Sequence, residues 1–161
     1  MWFKIKNSNY QDILKYIPPT FKDSPTHCLQ TWYSGDEARD ILKNFDHPAS
    51  EVYPKIQSTK KSFPLIEMGP RGLWINAYKS GQSTGIHNHS DPLFTVDSDY
   101  IAICILETGT QSEKLILYNE QNEPENISIN PGDIYILHHS VYHGAPPTND
   151  KMIALMFKIK S

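Results

Sequence analysis

Tyr100-Ile-Ala-Ile-Cys-Ile-Leu-Glu107 is a short, β-branched, apolar run, and the turn sequence Glu107-Thr-Gly-Thr110 closes it. It reads as a strand. Similar segments lie on both sides of it, at residues 73–78 and 93–96 before and 114–119, 127–130, 133–138 and 151–159 after. All are short, rich in β-branched and aromatic residues, and separated by Gly, Pro, Asn and Asp. Asn130-Pro-Gly-Asp133 has the composition of a tight turn. Several short strands at this spacing predict a sandwich or a barrel.

The first seventy residues have a different character. Trp2 to Ile5 alternates with lysines and predicts a short strand. Ser8 with Gln11 forms a capping-box pattern, and Tyr10, Ile13, Leu14 and Ile17 follow at helical spacing until Pro18-Pro19. Ser34 with Glu37 repeats the pattern ahead of Ala38, Ile41, Leu42 and Phe45, and His47-Pro48 ends it. Residues 46–72 carry four prolines and read as a loop over a core. One domain over 1–161 is expected: 1–72 as helical and loop support, with both helices packed on one sheet, and 73–161 as the β core.

Bulk numbers narrow the function. The 161 residues are 39% hydrophobic and 20% charged, ordinary for a soluble globular protein. A net charge of −3 with a pI near 6.1 leaves no electrostatic footprint for nucleic acid or an anionic membrane. No apolar stretch approaches a membrane span and no secretory leader opens the sequence, so a cytosolic setting is the default expectation. Cys28 and Cys104 lack the density and spacing of a disulfide or zinc framework and are expected as free thiols.

The chemistry concentrates in histidines. Five of the seven fall in Ile86-His-Asn-His-Ser-Asp91 and His138-His-Ser-Val-Tyr-His-Gly144. On an extended strand residues i and i+2 share a face, so His87 and His89 can converge on one ion, with Asp91 to follow if the strand continues. The second cluster, after the strand at 133–138, offers His143 from another part of the barrel. The metal-ligand candidates are therefore His87 and His143 with a third at His89 or Asp91. His138 and His139 read as a strand end, one facing out and one packed. Neutral imidazoles suit iron, zinc, copper and nickel, and with a carboxylate they form the facial set of non-haem iron oxygenases.

These residues carry a family resemblance. Trp74-Ile-Asn-Ala-Tyr-Lys-Ser-Gly81 followed by His87-Asn-His89 resembles the Y-x-x-G-x5-H-x-[DH] signature of prolyl-hydroxylase-like 2-oxoglutarate/Fe(II)-dependent dioxygenases. Asn130-Pro-Gly-Asp-Ile-Tyr-Ile-Leu137 resembles the strand that leads to that family's distal histidine, here His143, and Lys151-Met-Ile-Ala-Leu-Met-Phe157 resembles its closing strand. The resemblance covers roughly 73–159. It implies a double-stranded β-helix, of the jelly-roll or cupin-like type, with Fe(II) and 2-oxoglutarate as co-substrate. It implies that Tyr78, with Asn76 on the same segment, and Lys151, which stands where the family has an arginine, bind that co-substrate. Trp74, Tyr78, Phe94 and Tyr142 are candidate pocket walls.

Two departures stand out: His89 occupies the usual acidic ligand position, and Lys151 lacks the bidentate fork of arginine. The same residues also resemble the two cupin motifs and the three-histidine site of thiol dioxygenases, which needs no 2-oxoglutarate. A non-catalytic binding barrel is the third alternative. The substrate class (protein side chain, nucleobase or metabolite) and any homodimer are left open.

Overall fold

The computed structural model describes residues 2–6, 11, 29–32, 73–90 and 100–159. Its strands in chain order are β1 (Trp2–Lys6), β2 (Leu29–Trp32), β3 (Leu73–Lys79), β4 (Thr84–His87), β5 (Tyr100–Thr108), β6 (Glu113–Tyr118), β7 (Pro124–Ile129), β8 (Asp133–His138), β9 (His143–Ala145) and β10 (Lys151–Ile159). They form two antiparallel sheets, one ordered β1-β8-β5-β10-β3-β2 and the other β4-β9-β6-β7. This mainly β, two-sheet architecture is consistent with the predicted double-stranded β-helix.

Side-chain pattern explains which strand goes where. β5 and β10 lie centrally in the large sheet, and residues 101–106 and 152–158 are all buried. Burial on both faces is what an uninterrupted apolar strand requires. In β6, Glu113, Leu115 and Leu117 are buried while Lys114 is exposed and Ile116 and Tyr118 are half-buried, so that sheet turns one face toward water. Between the sheets Ile101, Ile103 and Ile105 pack with Leu115, Leu117, Tyr135, Leu137, Met152, Ala154 and Met156. Each such aliphatic side chain contributes about 1.5–3 kcal/mol of burial.

The Pro-Gly turn before β8 has a second use. Asp133 is fully buried, accepts hydrogen bonds from the Asn130 N–H at 3.0 Å and the Tyr135 hydroxyl at 3.3 Å, and pairs with Lys4 at 2.9 Å and Lys6 at 2.7 Å. The lysines belong to β1, so this carboxylate fastens the N-terminal strand to β8, in register from Trp2 opposite Leu137 to Lys6 opposite Asp133. Burial alone would raise the Asp133 pKa, but the bonds from Lys6, Lys4 and Asn130 outweigh it and hold the carboxyl below its ordinary value.

The strands expected at 133–138 and 151–159 coincide with β8 and β10. β7 begins at Pro124 rather than 127, because polar Glu125 and Asn126 continue the ladder where solvent reaches the sheet. β2, β4 and β9 were not anticipated. The helices predicted over 8–17 and 34–45, the strand at 93–96 and the loop at 46–72 lie outside the described residues, Gln11 apart. Cys104 is a free, buried thiol whose pKa burial pushes up, and Cys28 lies outside the described residues. No helix of the described residues is long and apolar enough to cross a membrane.

Candidate metal centre

β4 and β9, the two shortest strands of the small sheet, carry the histidines. β3 turns into β4 through Lys79-Ser-Gly-Gln82. The Gln82 N–H returns to the Lys79 carbonyl at 3.0 Å, and Gly81 sits at φ 83°, a backbone that favours glycine. Thr148 ties this turn to the loop before β10, its N–H and hydroxyl both donating to the Gln82 carbonyl at 2.9 Å. β4 then runs against β9 with Thr84 opposite Ala145 and His87 opposite His143, an irregularity lying between the two pairs. His89 follows just past the strand, and its backbone N–H donates to the His139 carbonyl at 2.8 Å.

The rings of His87, His89 and His143 meet. Their centroids are 5.2 Å apart for 87–89, 4.5 Å for 87–143 and 5.1 Å for 89–143. One nitrogen of each lies within 4.8 Å of the others. Bonds of about 2.1 Å to one ion require only that each ring move inward by about 1 Å.

Hydrogen bonding has already chosen the tautomers. His87 Nδ1 is 2.8 Å from the Gly85 carbonyl, and His143 Nδ1 is 3.0 Å from the Val141 carbonyl. A carbonyl only accepts, so each Nδ1 carries the proton and each Nε2 presents a lone pair. His89 Nε2 is buried without a hydrogen-bond partner. Burial, reinforced by its two neighbours, pushes the His89 pKa down to about 3. Burial and His87 bring His143 down to about 4 against the opposing pull of the Val141 carbonyl. Both imidazoles are neutral near pH 7, the state a metal needs. This donor set fits a divalent ion such as Fe(II).

The trio opens on a cavity of about 150 Å³. Trp74, Asn76 and Tyr78 of β3, Ile103, Leu115, and Met152, Ala154 and Met156 of β10 line it with Thr84, Gly144 and Ala145. Trp74, whose ring lies 5.9 Å from that of His89, and Tyr78 are the pocket walls the sequence predicts. Tyr142 is 43% exposed and does not line the cavity, and Phe94 and the alternative ligand Asp91 lie outside the described residues. His138 and His139 stay out of the trio, their Nδ1 atoms pairing with Ser140 Oγ at 2.7 Å and Ser90 Oγ at 3.2 Å.

Lys151, expected against the co-substrate, lies elsewhere. Met152, Ala154 and Met156 take the inward face of β10, so strand alternation turns Lys151 outward, where its Nζ pairs with Glu107 at 2.6 Å. No described residue lining the cavity carries a full charge. The tail carboxylate of 2-oxoglutarate therefore meets no cation among the described residues that line the cavity. Sequence reading missed Thr84, which has no signal beyond its nearness to His87. It also missed Lys158, buried on the same strand face and close enough to contribute to the low His89 pKa. Its even spacing from Met152 was the available signal.

No protein-family model and no curated protein sequence matches this chain. Solved structures do. A 2OG-Fe(II) oxygenase family oxidoreductase from Burkholderia pseudomallei aligns at TM-score 0.69 and 11% identity, covering 99% of this chain and 84% of that one. A prolyl-4-hydroxylase from Pseudomonas putida aligns at 0.68 and 11%, covering 99% and 91%. A prolyl hydroxylase from Trichoplax adhaerens, solved with a hypoxia inducible factor peptide fragment, aligns at 0.67 and 14%, covering 99% and 83%. At these identities the likeness is one of fold. These structural neighbours belong to the group that the sequence motifs resemble.

Proposed function

We propose that this chain is a non-haem Fe(II) oxygenase that uses a 2-oxo acid co-substrate, with His87, His89 and His143 holding the metal. The observation that carries the reading is the donor set. Two histidines have Nδ1 spent on carbonyls, and a third has a buried, partnerless Nε2. All three converge at the mouth of a cavity, in a fold shared with oxygenases. Once bound, the iron would supply the redox chemistry that couples decarboxylation of the 2-oxo acid to oxidation of a substrate C–H bond. The chain's own part is to fix the ligand tautomers, to hold the co-substrate among Asn76, Tyr78 and Thr84, and to exclude water with Trp74, Ile103, Leu115 and the methionines of β10. Residues 73–161 carry this chemistry in the proposal, and residues 1–72 with 91–99 choose the substrate.

Anaerobic Fe(II) titration should give one bound equivalent. Adding a small 2-oxo acid, 2-oxoglutarate at saturating concentration included, should give a weak visible charge-transfer band, and admitting O2 should give the decarboxylated acid, succinate from 2-oxoglutarate. His87→Ala or His143→Ala should abolish metal binding, and full stoichiometric metal in either variant refutes the ligand set. His89→Asp should keep the metal; His89→Ala binding metal normally would transfer the third ligand to Asp91.

The three-histidine set also favours a second reading, a thiol dioxygenase without 2-oxoglutarate. Metal bound, no charge-transfer band and thiol-dependent O2 uptake would select it. A metal-free protein of full stability would select a binding module.

A further inference from the structure

Among the described residues two buried side-chain polar atoms have no hydrogen-bond partner, His89 Nε2 and Asn76 Oδ1, and both residues line the same cavity. The proposed metal would account for the first. Asn76 is 3% exposed, and its Nδ2 donates to the Tyr78 hydroxyl at 3.2 Å, which in turn lies 2.8 Å from Thr84 Oγ1. Its oxygen is left bare. An unpaired buried acceptor costs about 1–3 kcal/mol, and native interiors seldom keep one without a use.

Position gives it one. Trp74, Asn76 and Tyr78 are successive residues on one face of β3, about 7 Å apart per step. Trp74 lies beside His89, so the trio that would hold a metal is at that end and Asn76 is one step further along β3. A volume near 150 Å³ holds a benzene-sized ligand. A small chelator with its head on the metal brings its tail to Asn76.

We propose that this subsite selects a neutral, hydrogen-bond-donating tail, so that the co-substrate is a 2-oxo acid ending in an amide or hydroxyl group rather than a second carboxylate. The inference rests on the oxygenase reading above. A carboxylate offers only acceptors. It would face the Asn76 oxygen with no charged described residue on the cavity wall: Lys151 is engaged with Glu107 outside, and Lys158, buried and near enough to His89 to lower its pKa, is not among the lining residues. An amide tail gives its N–H to Asn76 Oδ1 and leaves its carbonyl beside the Tyr78–Thr84 hydroxyl pair.

Three stable oxamates with the same chelating head and tails of one size make the test: N-oxalylglycinamide, N-oxalylglycine and N-isobutyloxamate. Their binding to the full chain loaded with Co(II), which the titration itself verifies, is measured by calorimetry and the cobalt visible spectrum. The amide tail should bind at least tenfold more tightly than the carboxylate or isobutyl tail. Asn76→Leu should erase that preference while leaving Co(II) affinity unchanged. Carboxylate bound tightest would mean that the Asn76 amide presents its NH2 to the cavity, and would overturn the proposal. So would an amide preference that survives Asn76→Leu. The wild-type ranking decides the matter even if that variant fails to fold. Cobalt bound with no response to any oxamate, or no cobalt bound, overturns the oxygenase reading itself and is distinguishable from a wrong tail order.

Discussion

At Gly144 the two histidine strands leave no room for a side chain. A Cβ there would lie 2.8 Å from the Thr84 carbonyl oxygen, 2.9 Å from Ile86 Cδ1 and 3.2 Å from the Gly85 carbonyl oxygen, whereas ordinary contacts begin at 3.4 Å. Ile86 is 43% exposed and its methyl can swing aside, but the carbonyls are backbone. Gly144→Ala therefore forces β4 back from β9 by about 0.5 Å. His87 rides on β4, held through the Gly85 carbonyl, and His143 adjoins the substituted residue. Functional sites tolerate displacements of about 0.5 Å at most. We expect metal affinity to fall about 10–100-fold and metal-free stability to fall by about 1–3 kcal/mol. Competition with a chelator for Co(II) or Zn(II) reads the first, and denaturant melts read the second. Gly85→Ala is the control, because a Cβ there meets nothing within 4 Å. Wild-type metal affinity in Gly144→Ala, or equal losses in both variants, would refute the claim that this close approach sets the ligand geometry.

Asp133→Asn keeps the shape of the clasp but not its charge, and should cost about 1–3 kcal/mol at neutral pH. The wild-type carboxyl is held below its ordinary pKa, so its contribution is present above that value and lost as pH falls through the lower folded one; the gap between the two proteins should close in strong acid. Lys151→Ala breaks only an exposed pair, so stability should change by about 0–1 kcal/mol and oxamate affinity should hold; a tenfold affinity loss would place Lys151 in the site after all. For the metal-free chain, His89 and His143 protonate at about 3 and about 4 when folded but near 6.5 when unfolded, so the unfolded state binds more protons between these values. Stability should be full above pH 6.5 and decline toward pH 4, and urea titrations showing the reverse slope would contradict the burial of these rings.

Local chemistry made part of this readable in advance. The apolar run at 100–107, the Pro-Gly turn at 131–132 and the β-branched and aromatic content of 73–78 each state their own conformation, because pleat and turn geometry depend on residue type and on neighbours in sequence. The histidine spacing 87–89 states a shared face. β4 and β9 were not readable. They are four and three residues long, too short for a periodic signal, and become strands through partners distant in sequence, β4 against β9 and β9 also against β6. Lys151 was misplaced for a related reason: its position in the motif was legible, but which face of β10 turns inward depends on register with β3 and β5.

The sequence alone therefore determined the class of fold, the turns and the set of groups able to bind a metal, since these follow from residue type and short-range spacing. Tertiary pairing alone decided that three of those histidines meet, that Lys151 points away, and that one asparagine oxygen is buried unpaired in the same cavity. Those are facts about which distant strands lie side by side, and no local pattern encodes them.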